Sequence, residues 1–197
     1  MANKPLNTDL FDKAAKFAID AHHGTERRGK GSPYIIHVME AAEIVATMTN
    51  DPELLAAAML HDVIEDTDVT KEDIEKEFGS RIAELVAGES DPDIKGESEE
   101  ATWKARKEFV IDRLAKESRE AKMVALGDKL SNMRAIARDF DEKGDELWKI
   151  FHAPDPHLHE WHYRGLAKSM KELEGTAAYK EFCELIEKTF SRAFKSL

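Results

Sequence analysis

Apolar positions along the chain recur at helical spacing and show no sustained two-residue alternation. Phe11, Ala14, Ala15 and Ala18 fall on one face of a helix that Thr8 or Asn7 can cap and that runs to about Ala21. A loop rich in glycine and basic residues follows, HHGTERRGKGSP, and then a second helix over about residues 36–48. Asp51 before Pro52 reads as a cap with proline at the first helical position. It opens LLAAAMLHDVI, in which residues 54–60 are apolar on every side, so this helix is expected to be buried all round. Thr70 with Asp73 reads as a capping box before a short helix that stops near Gly79. The segment GESDPDIKGESEE reads as an exposed connection. Helices are then expected over about 102–116 and 119–139. A Pro- and His-rich turn, FHAPDPHLHEWHYRG, leads into another helix, and a last one begins near Thr176. With no repeat or low-complexity tract in view, the pattern predicts an all-α fold.

Size and charge narrow the classes. The 197 residues, 42% of them hydrophobic, suffice for one domain with a proper core: a motif-bearing core over about residues 8–140 and a C-terminal helical element over about 141–197. No apolar run reaches the roughly 18 residues of a membrane span, and the start MANKPLNTDLF lacks an apolar signal core. The only cysteine is Cys183, which rules out an internal disulfide and fits a reducing cytoplasm. A net charge of -11 disfavours nonspecific binding to nucleic acid or acidic membrane. An anionic substrate would therefore need a local concentration of Arg, Lys or metal.

The candidate chemistry begins at His61 and Asp62, which interrupt an apolar run. Burying an ionised carboxylate costs several kcal/mol unless it is compensated, either by a hydrogen-bonded pair or by a divalent cation. Glu65 and Asp66 follow within one turn, giving four ionisable groups in six residues. Further ligands must come from elsewhere. His37, at the start of an apolar-periodic helix, and Asp128, after the hydrophobic residues 123–126, are the two candidates. Taken alone, each is more often a cap or a satisfied polar core group. With His61 and Asp62 they make two imidazoles and two carboxylates, a set suited to Mn²⁺, Fe²⁺ or Zn²⁺ with positions left open for water and substrate.

The pieces GSPYIIH, AMLHDVIEDT and GDKLSNMR occur in that order, and together they resemble the HD-domain hydrolase module of the RelA/SpoT family over about residues 11–139. The resemblance implies a compact HD-domain helical bundle and a stand-alone small hydrolase that removes the 3′-pyrophosphate of ppGpp and pppGpp, yielding GDP or GTP and pyrophosphate. It implies metal ligands at His37, His61, Asp62 and Asp128, with Mn²⁺ the usual ion, and an acidic catalytic pair at Glu65 and Asp66. It further implies that Arg27 stacks on the purine, that Arg28 meets phosphate and that Asn132 contacts the nucleotide. Arg suits both tasks because its planar head stacks and binds phosphate through two N–H groups. The chain departs from the family pattern at Val38, where proline is usual, at Thr25, where glutamine is usual, at Ala135, and in a basic loop one residue longer.

Lys129 and Arg134 flank the Asp128 segment and are expected to face the substrate. In HEWHYRG, Tyr163 is a candidate wall of the nucleotide pocket, although a Trp and a Tyr at helical spacing are more often core. His152, His157 and His159 fit no compact ligand pattern. The expected partner is a small-molecule nucleotide. Neither nucleic acid nor membrane is expected, and the sequence is silent on oligomeric state. Two other readings compete. One is an HD phosphohydrolase acting on a ppApp-type alarmone, NADPH or a deoxynucleotide; the other is a nucleotide sensor that kept the metal and lost turnover.

Overall fold

The computed structural model describes residues 6–90 and 98–193. Part of the expected connection, residues 91–97, lies outside them. The chain divides into two compact units, residues 1–90 and 91–197. Among the described residues every extended element is a helix, and no helix is long and apolar enough to cross a membrane.

The first unit is built on α3, Pro52–Leu60, which packs against α1 (Asp9–Ala21), α2 (Ile35–Ala46) and α6 (Ser80–Ala87). Its run of small and branched apolar residues has the expected consequence: Leu54, Ala56, Ala57, Ala58, Met59 and Leu60 are all buried. Each large side chain taken from water there contributes roughly 1.5–3 kcal/mol. From α1, Ala14 and Ala18, four residues apart, are fully buried. The caps form largely as the sequence indicates. Asp51 Oδ1 accepts from the Glu53 N–H (2.9 Å), and Thr70 and Asp73 close a reciprocal capping box at the start of α5, Lys71–Phe78. At α1 the division of labour differs. Asn7 Oδ1 accepts from the Asp9 N–H (2.9 Å), while the Thr8 hydroxyl donates to Asp12 (2.9 Å).

The sequence assigns no element to residues 80–87, where α6 forms after Gly79, a residue at φ 89°. Arg81 of α6 pairs with Asp51 (2.8 Å) and with Glu53, fastening α6 to the start of α3. The motif LLAAAMLHDVI is not one helix. It breaks at His61 and Asp62, with Asp62 at φ -98° and ψ -2°, and resumes as the four-residue α4, Val63–Asp66. That backbone region is sparsely occupied and is common beside active sites.

The second unit holds α7 (Glu99–Leu114), α8 (Arg119–Lys143), α9 (Pro156–Ser169) and α10 (Ala177–Ala193), with 3₁₀ segments at Gly144–Ile150 and Lys171–Leu173. Helix α8 packs against α10, and α9 packs against both α7 and α10. Asp155 before Pro156 repeats the Asp-Pro cap of α3, its Oδ1 accepting from the His157 N–H (2.9 Å). The core is aromatic: Trp148 stacks on Phe190 (5.7 Å between ring centroids) and on His159 (5.4 Å). At Gly165 of α9 the Ile111 side chain of α7 comes so close that a Cβ would lie 2.5 Å from its Cδ1.

Candidate functional site

The loop between α1 and α2 doubles back on itself. Arg27 N–H donates to Ser32 O (2.8 Å), Tyr34 N–H to Thr25 O (2.9 Å), and Glu26 bridges to Pro33. Gly24, Gly29 and Gly31 take φ of 78°, 68° and 63°, a left-handed conformation that glycine adopts without strain. The loop thereby lays the Arg27 guanidinium 5.3 Å from the centroid of the Tyr34 ring. Arg28 and Lys30 belong to the same turn, Arg28 exposed and Lys30 half-buried.

His37 sits in the first turn of α2, and His61 and Asp62 at the joint between α3 and α4. The structure brings these three into one His/Asp cluster. Asp62 Oδ2 lies 2.8 Å from His61 Nε2 and 3.4 Å from His37 Nε2, and the two imidazoles meet edge to face at 5.2 Å. Both histidines are buried, and the Asp62 side chain is 15% exposed. His61 Nδ1 lies 2.8 Å from Ala58 O. A carbonyl oxygen only accepts, so Nδ1 carries a proton, and Nε2 is the ring atom that faces the Asp62 carboxylate. Nε2 and a carboxylate oxygen at that distance can share either a proton or a metal cation. A carbonyl-anchored imidazole is also the usual outer support of a metal-binding histidine. The residues present therefore fit a divalent ion.

Asp62 Oδ2 also accepts a hydrogen bond from the Tyr34 hydroxyl (2.6 Å). Glu65 and Asp66 follow in α4, both exposed over much of their surface. Partial burial of the Asp66 carboxyl, reinforced by the Asp62 charge, pushes its pKa above the ordinary aspartate value; the neighbouring Tyr34 hydroxyl, which can turn its proton from Asp62 to Asp66, works against this. His22, at the end of α1, is 3% exposed, and neither of its ring nitrogens has a hydrogen-bond partner among the described residues. Burial holds its pKa below the usual histidine value, against the opposing pull of Asp62 and Asp66. Its ring lies 5.0 Å from that of Tyr34.

The remaining candidates lie in the second unit. Asp128 is buried in the middle of α8 and accepts from the Lys129 ammonium and from Asn132 Nδ2 one turn later. Arg134 binds Glu181 of α10 through two bonds, Nε to Oε1 at 2.6 Å and an N–H to Oε2 at 2.8 Å, and this holds the Glu181 pKa down. Tyr163 is buried in the aromatic core, 6.1 Å from Phe182 and 6.3 Å from Phe190. His159 is packed nearby, its Nε2–H donating to Ala153 O (2.7 Å). His162 is buried beside Trp103 (5.8 Å), and burial lowers its pKa well below the usual value.

Two residues of the first unit were not singled out by the sequence. Tyr34 stands inside GSPYIIH, but nothing in that spacing says that its hydroxyl reaches a carboxylate 28 residues onward. His22 carries no sequence signal beyond its place at a helix end.

Comparison with known proteins places this geometry among relatives. A family model described as "HD domain" matches residues 14–153. The chain is 42% identical over 125 residues to a guanosine-3′,5′-bis(diphosphate) 3′-pyrophosphohydrolase of Vibrio cholerae, covering 60% of this chain and 17% of that protein. It is 35% identical over 150 residues to the protein of the same name from Aquifex aeolicus, covering 76% of this chain and 21% of that one. The chain thus spans about a fifth of the length of these curated relatives. Among solved structures, a metazoan ortholog of SpoT, described as hydrolysing ppGpp and playing a role in starvation responses, superposes with a TM-score of 0.70 at 27% identity, covering 95% of this chain and 98% of that one. The protein lmo0812 of Listeria monocytogenes EGD-e gives a TM-score of 0.69 at 27% identity, over 79% of this chain and 99% of that one.

Proposed function

The chain belongs to the HD-domain family, and from that premise we propose that it is a metal-dependent hydrolase that removes the 3′-pyrophosphate of ppGpp or pppGpp. The observation that carries the reading is the cluster at the α3–α4 joint, where Asp62 Oδ2 lies 2.8 Å from Nε2 of His61 and 3.4 Å from Nε2 of His37. The names of the relatives, and the 98% coverage of the metazoan structure described as hydrolysing ppGpp, support the choice of substrate.

In this reading His37, His61, Asp62 and Asp128 hold one divalent cation. Each offers one ligand atom, and the two imidazoles and two carboxylates suit Mn²⁺, with Fe²⁺ and Zn²⁺ the other candidates. When bound, such an ion supplies Lewis acidity to a phosphoryl oxygen and to water. Glu65 and Asp66 orient the attacking water and take its proton as the new P–O bond forms. They then return the proton to the 3′ oxygen as its bond to phosphorus breaks. The products are a nucleoside 5′-diphosphate or triphosphate and pyrophosphate.

Arg27 and Arg28 supply positive charge against the net -11 of the chain, Arg27 by stacking on the base and Arg28 by meeting phosphate. Lys129, Asn132, Arg134 and Tyr163 complete the proposed substrate set. The first two touch Asp128 and so join nucleotide binding to a ligand carboxylate. Arg134 and Tyr163 would act from packed positions, one beside Glu181 and the other within the aromatic core.

The test is a panel of ppGpp, pppGpp, ppApp, NADPH and nucleoside monophosphates, each incubated with and without Mn²⁺ while pyrophosphate release is followed. The expected result is Mn²⁺-dependent pyrophosphate from the guanosine compounds. No pyrophosphate from any 3′-pyrophosphorylated nucleotide overturns the proposal.

A further inference from the structure

Tyr34 occupies the junction between the two halves of the proposed site in the first unit, and no role in that site has yet been assigned to it. Its backbone closes the basic loop through the N–H bond to Thr25 O (2.9 Å), and its carbonyl accepts from the His37 N–H (2.9 Å), so the residue is fixed to both loop and helix. The ring is held between two buried imidazoles, His22 at 5.0 Å and His37 at 5.5 Å. The Arg27 guanidinium stands over the same ring at 5.3 Å. Beyond the ring, the hydroxyl donates to Asp62 Oδ2 at 2.6 Å, the oxygen that faces both His61 Nε2 and His37 Nε2, with the Asp66 carboxyl as the other acceptor within its reach.

We infer that Tyr34 is a positioning residue with two separable tasks: its hydroxyl sets the Asp62 carboxylate for the cation, and its ring carries Arg27 for the substrate. One carboxylate oxygen can serve two imidazole neighbours only if its rotation about χ2 is arrested, and a short charge-assisted bond from a phenol does this. A guanidinium over a tyrosine face is attracted by the ring and gives up part of its rotamer freedom before any base arrives. Because both tasks belong to one side chain, the aim of the metal ligand and the pose of the substrate-binding arginine are linked. The inference rests on the metal-dependent reading of the site.

The experiment separates hydroxyl from ring in the full chain. Mn²⁺ affinity is measured by calorimetry, and ppGpp hydrolysis is measured at saturating Mn²⁺. Tyr34→Phe keeps the ring and removes the hydroxyl. Its Mn²⁺ affinity is expected to fall about 10–100-fold, the range typical when the outer partner of a metal ligand is lost, while KM stays at the wild-type value. Arg27→Met is the reciprocal variant: KM rises and Mn²⁺ affinity stays as in the wild type. Tyr34→Leu removes both features and is expected to combine the two losses. Wild-type Mn²⁺ affinity in Tyr34→Phe overturns the inference, as does a rise in its KM as large as that of Arg27→Met. A wild-type chain that binds no Mn²⁺ overturns the metal reading itself, a result distinct from an unchanged affinity in the variant.

Discussion

His61 Nε2 and Asp62 Oδ2, on neighbouring residues, stand 2.8 Å apart at the joint between α3 and α4. Nδ1 of the same ring donates to Ala58 O, which leaves Nε2 as the atom that a cation shared with Asp62 would use. Replacing Asp62 by Ala should cost more than about 100-fold in Mn²⁺ affinity, since even outer partners of metal ligands are worth 10–100-fold. Elemental analysis and calorimetry read this directly. At a Mn²⁺ concentration 100 times its Kd, the wild-type chain should gain about 2.7 kcal/mol of unfolding free energy, and the variant less than about 0.4 kcal/mol.

The acidic pair should be separable from metal binding. Glu65→Gln combined with Asp66→Asn is expected to lower turnover by about 10²–10⁴-fold, the span that positioned acid–base groups contribute, while bound Mn²⁺ stays at wild-type stoichiometry. Pyrophosphate release and metal content measured on one preparation decide it. Wild-type turnover in the double variant removes the roles assigned to both residues.

Acid should destabilise the second unit through its buried histidines. Burial holds the pKa values of His159 and His162 below the usual value of 6.5. Between 6.5 and those lower values, the unfolded chain takes up protons that the folded state refuses. Stability is therefore complete above about pH 6.5 and falls as pH drops, by up to about 1.4 kcal/mol per pH unit for each histidine. Denaturant titrations followed by tryptophan fluorescence at pH 7.5 and 5.5 should show the loss. His162→Phe, which keeps an aromatic ring and removes the titration, should reduce it.

Gly165 has a packing reason that can be tested without touching the site. A Cβ there would sit 2.5 Å from Ile111 Cδ1 and 3.1 Å from Cγ1. Gly165→Ala should destabilise the chain by about 1 kcal/mol: overpacking costs roughly 1–3 kcal/mol, less the 0.5–1 kcal/mol gained by replacing glycine within a helix. Adding Ile111→Val removes the offending methyl, so the double variant should melt above Gly165→Ala alone. A double variant no more stable than the single one would show that the clash is not the cause.

The helices were legible wherever local chemistry specified them. Asp51-Pro52 and the Thr70/Asp73 box are local rules, and each forms in the fold; the same Asp-Pro rule operates at Asp155-Pro156, where the sequence was read only as a turn leading into a helix. The cluster of His37, His61 and Asp62 was legible because polar groups set in an apolar run need compensation, and the structure brings the three together. The break at His61 and Asp62 was hidden, because the apolar pattern continues through Val63 and Ile64 as though one helix ran on. Helix α6 was hidden by its length: eight residues give too few turns for a periodicity to stand out. Tyr34 and His22 escaped for a different reason. Their meaning lies in partners remote along the chain, and residue spacing carries no record of which hydroxyl meets which carboxylate.

The bond from His61 Nδ1 to Ala58 O joins residues only three apart in one stretch of backbone. The direction in which the imidazole points is thus stored in α3 itself and does not have to be taught by the ion. A chain stripped by chelator should keep the ring on target and reload without rebuilding its pocket. The entropy of orienting that ligand is spent once, when the helix forms, and each later visit by a metal finds it already lost.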